Sequence, residues 1–246
     1  MSNPYYFIGK GKLYISLSDK SDGLRYISNV EEFKLTITDK VETLKDYDSL
    51  AGGNIQQVAT IDKVDMSLTF TDLSPANLAL AIFGAIGTPV TASTASNEKH
   101  VAYKGCLLPL TYVNPSTVTL TNDSTVTYAL GTDYTVTGAG LFIPATSSIV
   151  EGSTVTVASY NYSDSQSIEA MTTTGSEYRV YFDGVNTANY NKPRIVDLFK
   201  VRFGPIKDMS YKGETFAKIQ ISGEVLKDST ITTPGKSQFF REMLVL

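Results

Sequence analysis

The chain has 246 residues, of which 42% are hydrophobic and 11% aromatic, with 15 Tyr, one Cys and a net charge of −4. That length can bury a core as one large domain or as a domain carrying an insert. The lone Cys106 excludes a disulfide framework and a thiolate metal cage, and the charge excludes a strongly basic face for gripping phosphates.

The abundance of Tyr, Thr and Val predicts an all-β fold with one short α-helix. No apolar run reaches the ~20 residues that a membrane-spanning helix needs, and the start, MSNPYYFIGKGK, lacks the basic-then-apolar order of a signal peptide. Residues 11–17 read as the first strand, closed by the polar turn SDKSDG.

Two long strands follow, residues 27–38 and 55–71. In the first, Phe33, Leu35 and Ile37 alternate with Lys34 and Thr36; in the second, Val64, Met66, Leu68 and Phe70 alternate with Lys63, Asp65 and Ser67. A strand has a side-chain period of two, so each has one dry face and one wet face. Between them lies the excursion ETLKDYDSLAGGN, read as a long loop over residues 42–54. Its apolar residues Leu44, Tyr47 and Leu50 suit a contact surface, with Lys45, Asp46 and Asp48 beside them and Gly52 and Gly53 allowing a tight backbone.

The helix is predicted from SPANLALAIFG. Ser74 suits the N-cap, Pro75 the first helical position and Gly84 the left-handed stop, while Leu78, Leu80, Ile82 and Phe83 make the helix apolar around its circumference and therefore buried. A polar connector, TPVTASTASNEK, leads to a strand over residues 101–110, where Cys106 is expected as a small core residue.

From residue 111 to 164 the texture changes to short runs such as STVTL, TVTYAL, DYTVT, GLFIP and STVTVASYNY, separated by turn residues. This predicts an inserted β-rich module over residues 111–164, with residues 1–110 and 165–246 forming one discontinuous domain. Further strands of the same sandwich are the alternative. No Lys or Arg occurs between Gly105 and Tyr178, so acidic charge collects there.

The main domain resumes with strands at 177–184 and 195–203 around the Asn-rich loop VNTANYNKP. Residues 215–226 alternate again, with Lys218, Gln220, Ser222 and Glu224 opposite Ala217, Ile219, Ile221 and Val225; residues 238–246 close the domain as an edge strand.

No catalytic, cofactor or metal constellation is expected. His100 sits in the polar connector with no partner in its neighbourhood, and no GxSxG, GxxxxGK[ST] or GxGxxG is present. Asp46-x-Asp48 begins like a calcium loop, but the required glycine and glutamate do not follow. Catalysis is therefore not expected, and a structural or binding role is.

The order of these features, with VDMSLTFTDLSPANLALAIFG, YRVYFDGVNTANYNKPRIVDLFKVRFGP and GKSQFFREMLV, resembles the tail tube proteins of long-tailed bacteriophages over most of the chain. DLSPANLALAIFG is the most specific part. The resemblance implies a virion subunit that forms stacked hexameric rings, a hollow tube lined by a ring-wide β-barrel through which double-stranded DNA passes without sequence recognition. It implies residence in the host cytoplasm before assembly, and tape-measure, tail-tip and tail-terminator proteins as partners beside the chain itself. Lys34, Thr36, Lys63, Asp65, Ser67, Lys218, Gln220 and Glu224 would then face the lumen. The family's lumens are typically electronegative, and these three lysines depart from that. The 42–54 loop would reach neighbouring subunits, and the insert would lie on the outside. Two other readings are a β-sandwich adhesin or baseplate-type binding module, and the tube of a contractile tail or secretion apparatus.

Overall fold

The computed structural model describes residues 6–123 and 126–245. Thr125, which opens the predicted TVTYAL run, and Leu246, which ends the predicted closing strand, lie outside the described residues. In chain order the elements are β1 (Gly9–Leu17), β2 (Arg25–Ile27), β3 (Val30–Lys45), β4 (Asn54–Phe70), α1 (Pro75–Ile82) and β5 (Ala85–Ile86). Next come β6 (Ser93–Val101), β7 (Cys106–Pro109), β8 (Ser116–Asn122), β9 (Thr135–Thr137), β10 (Gly140–Ile143) and β11 (Thr154–Tyr162). The last are β12 (Ile168–Glu169), β13 (Glu177–Asn186), β14 (Lys192–Phe203), β15 (Ile219–Val225) and β16 (Phe240–Leu244). The fold is all-β with one short helix among the described residues.

The chain divides into two units, Met1–Ile86 with Ile168–Leu246, and Gly87–Ser167. The predicted module boundaries, 111 and 164, fall inside the second unit. Its first strands, β6 and β7, occupy the segment assigned to the main domain, because β6 pairs along β11 and β7 along β10.

The first unit has a main antiparallel sheet in the order β2-β1-β13-β14-β15-β4-β3, with β16 also on β14, and the short pair β12-β5 beside it. One edge of β14 is shared. Arg194 to Leu198 pair with β16, and Val201 to Phe203 pair with β15. At that corner the sheet folds over, and Leu13, Ile15, Val180 and Leu198 share a core with Val64, Met66, Leu68, Phe70, Ile219 and Ile221. The Phe33 and Phe182 rings meet across it, 5.7 Å apart. Gly223 pairs with Phe203 at the corner, where a Cβ would lie 2.6 Å from the Arg202 carbonyl oxygen, so only glycine permits the crossing.

Several local expectations are corrected. The predicted strand 27–38 is broken at Asn29, whose φ of 50° is left-handed; Ile27 therefore belongs to β2 and pairs with Leu13 of β1. Phe83, not Gly84, takes the left-handed position that ends α1, with φ 52°. Ser74 stands at the N-cap, but its hydroxyl makes no cap bond. Instead the Asp72 Oδ1 accepts from the Ser74 N–H at 3.0 Å, and the Asn77 amide donates to the Asp72 carbonyl and Oδ2. Apart from Pro75, every α1 residue is buried or half-buried, and Leu78, Leu80 and Ala81 pack into the core.

The second unit packs sheet β7-β10-β9 and sheet β6-β11-β8 around Leu120, Tyr134, Leu141, Ile143, Val155, Val157 and Tyr160. Cys106 is exposed at the start of β7 rather than in this core. The chain enters and leaves the unit at one point, where the Gly87 N–H donates to the Ser167 carbonyl at 2.9 Å.

Candidate functional site: a wet sheet face and a projecting hairpin

On β4 the alternation read from the sequence holds. Val64, Met66, Leu68 and Phe70 are buried, and the residues between them are not. Register then aligns the polar positions across strands. Lys34 lies opposite Ser67 and Ser67 opposite Ser222; Thr36 lies opposite Asp65, Asp65 opposite Glu224, and Glu224 opposite Arg202. Gln220 joins Thr69 and Glu32 in a third row. Paired residues point to the same side of a sheet, so all of these candidates share one wet face. Lys218 stands just before β15 and not within it.

Two of the three lysines are ion-paired. Lys63 reaches Asp65 at 2.7 Å, which raises the Lys63 pKa, and Lys218 reaches Glu31 at 2.7 Å. Lys34 has no ion pair among the described residues. Arg202 was missed from the sequence, although its place between buried Val201 and Phe203 signals the same alternation.

Beyond Leu35 the hairpin leaves the core. The strands continue in pairs to Lys45 and Asn54, with bulges at Asp62 and Ile55. The predicted 42–54 loop is therefore shorter than expected, since backbone pairing continues through residues 42–45 and resumes at Asn54. Leu44 and Lys45 belong to β3, and the true turn is residues 46–53. Asp46 organises it: its Oδ1 accepts from the Asp48 and Ser49 N–H groups at 2.9 and 3.1 Å, and its own N–H donates to the Gly53 carbonyl at 2.8 Å. Gly52 and Gly53 have φ of 63° and 130°, which supply the left-handed backbone. Tyr47 and Leu50 point into solvent, and Ile37, Val41, Leu44, Ile55, Val58 and Ile61 are exposed along the arm.

Two further features border this region. The edge of β3 not facing β4 is unpaired among the described residues, over a strand of 16 residues. A groove of about 750 Å³ opens beside its base, floored by Leu13, Phe33, Leu35, Phe182, Val196 and Phe240. Among the described residues, no group of three or more His, Cys, Asp or Glu side chains is placed to hold a metal ion.

His100, read as a solvated loop residue, lies in β6, and its Nε2 is 2.7 Å from Glu98 Oε1. Glu98 also accepts from the Thr111 N–H and hydroxyl and from the Tyr160 hydroxyl. Burial pushes the Glu98 carboxyl up, but the bonds from Tyr160, Thr111 and His100 outweigh it and hold its pKa below the usual value. Burial, with the bond to Glu98, pushes Tyr160 up to about 12.

The sequence matches the family described as "Protein of unknown function UCP028589" over residues 6–243, and the chain belongs to that family. No curated protein matches it.

Proposed function

We propose that this chain is a self-assembling structural subunit whose copies form stacked rings and a hollow tube, as in the bacteriophage tail tube proteins that its sequence resembles. The observation that carries the reading is one sheet segment, β15-β4-β3, with a dry face, a wet face of mixed charge and an unpaired edge. A long free edge is a template for another strand, and repetition around a ring removes it. The wet faces then line the channel. A lining that carried only basic groups would hold each phosphate of a passing duplex in a salt-dependent grip. Lysines interspersed with carboxylates, two of them ion-paired, keep the wall wet with Thr and Ser without that grip.

The exposed arm supports the same reading. Burying a Leu or Ile side chain is worth about 1.5–3 kcal/mol, and eight large apolar residues from Ile37 to Ile61 are left in water on the isolated chain. A partner copy would cover them. Replacing Leu44, Tyr47 and Leu50 together with Asp is expected to leave a folded chain, with an unchanged circular dichroism spectrum, that no longer forms large particles by light scattering. Unimpaired assembly of that variant would remove the arm from the interface.

A further inference from the structure

The hairpin tip needs a receiving surface, and we propose that it docks in the cavity that residues 6–7, 192–194 and 244–245 of another copy form. This rests on the reading of the chain as a self-assembling subunit and names the partner surface of the arm.

The cavity has a volume of about 230 Å³ and is lined by Tyr6 and Phe7 from the N-terminal segment, Lys192, Pro193 and Arg194 of β14, and Leu244 and Val245 at the C-terminal end. It is a built surface. The Asn186 amide, nearly buried, donates to the Tyr6 carbonyl at 2.7 Å and accepts from the Ile8 N–H at 3.1 Å. The Val245 N–H donates to the Pro193 carbonyl at 3.2 Å, and the Phe7 ring lies 3.9 Å from the Arg194 guanidinium. Its apolar walls are nevertheless wet, since Tyr6, Phe7, Leu244 and Val245 are all exposed.

The tip carries apolar side chains and a charge that match the chemistry of the cavity lining. It is closed on itself by the Asp46 bonds and presents Tyr47, 85% exposed, and a fully exposed Leu50. Lys192 and Arg194 are the charged groups of the cavity lining, and Arg194 is paired with Glu242. Lys192 and Asp48 have no ion-pair partner among the described residues, so each lacks what the other carries.

A copy cannot fill its own cavity. Phe7 and Arg194 line both this cavity and the groove beside Val30, Phe33 and Leu35, so the cavity adjoins the base of the hairpin. The tip lies about ten residues further along a paired strand, roughly 33 Å at ~3.3 Å per residue. The contact is therefore between copies. Tip and cavity are different surfaces, which makes the contact head-to-tail, closing into a ring or repeating along an axis.

The test is disulfide trapping between two mixed populations, Leu50→Cys and Val245→Cys, each with Cys106→Ser, under mild oxidation. Cross-linked heterodimer is expected at least ten-fold above that of a control pair, Leu50→Cys with Ser21→Cys. Asp48→Lys on the first partner, or Lys192→Glu on the second, is expected to cut the yield, and the two together to restore it. A yield no higher than the control overturns the proposal whether or not assembly occurs. Tubes in the microscope without cross-linking would leave the subunit reading standing and remove the cavity from it. Cross-linking without tubes would do the reverse.

Discussion

Glu98 shows what one side chain does for the second unit. It gathers bonds from His100, Thr111 and Tyr160, tying β6 and β11 to the segment after β7. Removing it leaves a buried Tyr160 hydroxyl without its acceptor, so Glu98→Ala should cost about 1–3 kcal/mol, read as a lower denaturation midpoint. The pH dependence has two limbs. The Glu98 and Asp133 pKa values are lowered by folding, Asp133 through N–H bonds from Ala129 and Ser148, so their contribution is present above about pH 4 and lost as pH falls through the folded-state values. The Tyr160 pKa is raised, so its contribution is complete below about pH 10 and lost as pH rises toward about 12. Stability of this unit should therefore fall at both extremes, and tyrosinate absorbance should show Tyr134 and Tyr160 titrating late, with Tyr160 moved earlier in Glu98→Ala but still held above the ordinary value by burial. Titration of every Tyr near pH 10 would contradict this. None of it was legible locally, because Glu98 and His100 face the same way only when the polar connector becomes a strand, and β11 is what makes it one.

At the scale of elements, the β4 alternation was legible because four apolar residues spaced by two can satisfy only one buried face. The wet rows followed from it, up to Arg202. What was hidden depends on pairing and on single dihedral angles: the extension of the hairpin to Lys45, the bulges at Asp62 and Ile55, and the left-handed Asn29 and Phe83. No composition rule marks a Phe for a left-handed helix end. The β3 edge makes its own prediction. In the separated subunit, β3 amides that point away from β4 should exchange with solvent within the fast class, while their neighbours bonded to β4 are slower. In assembled material both classes should be protected. Continued fast exchange of the outward set after assembly would show that the edge stays free.

For the whole molecule, the insertion point decides what can be removed. Gly87 and Ser167 are one hydrogen bond apart, and Val90 and Ser165 exchange N–H to carbonyl bonds just beyond them. Each unit also has its own buried cluster. Replacing residues 88–166 with a short Gly/Ser bridge should therefore preserve folding and assembly of the first unit, whereas excision at 111–164 would cut β6 and β7 from their partners. Loss of assembly after the first deletion would assign the insert to the interface itself.

On the proposed reading, copies of this chain build a hollow tube. Negative-stain electron microscopy of the purified protein, over a range of concentrations, shows whether they do. Tubes or six-fold rings with a stain-filled channel are the predicted result. A monodisperse monomer at every concentration, or closed assemblies with no channel, would contradict it.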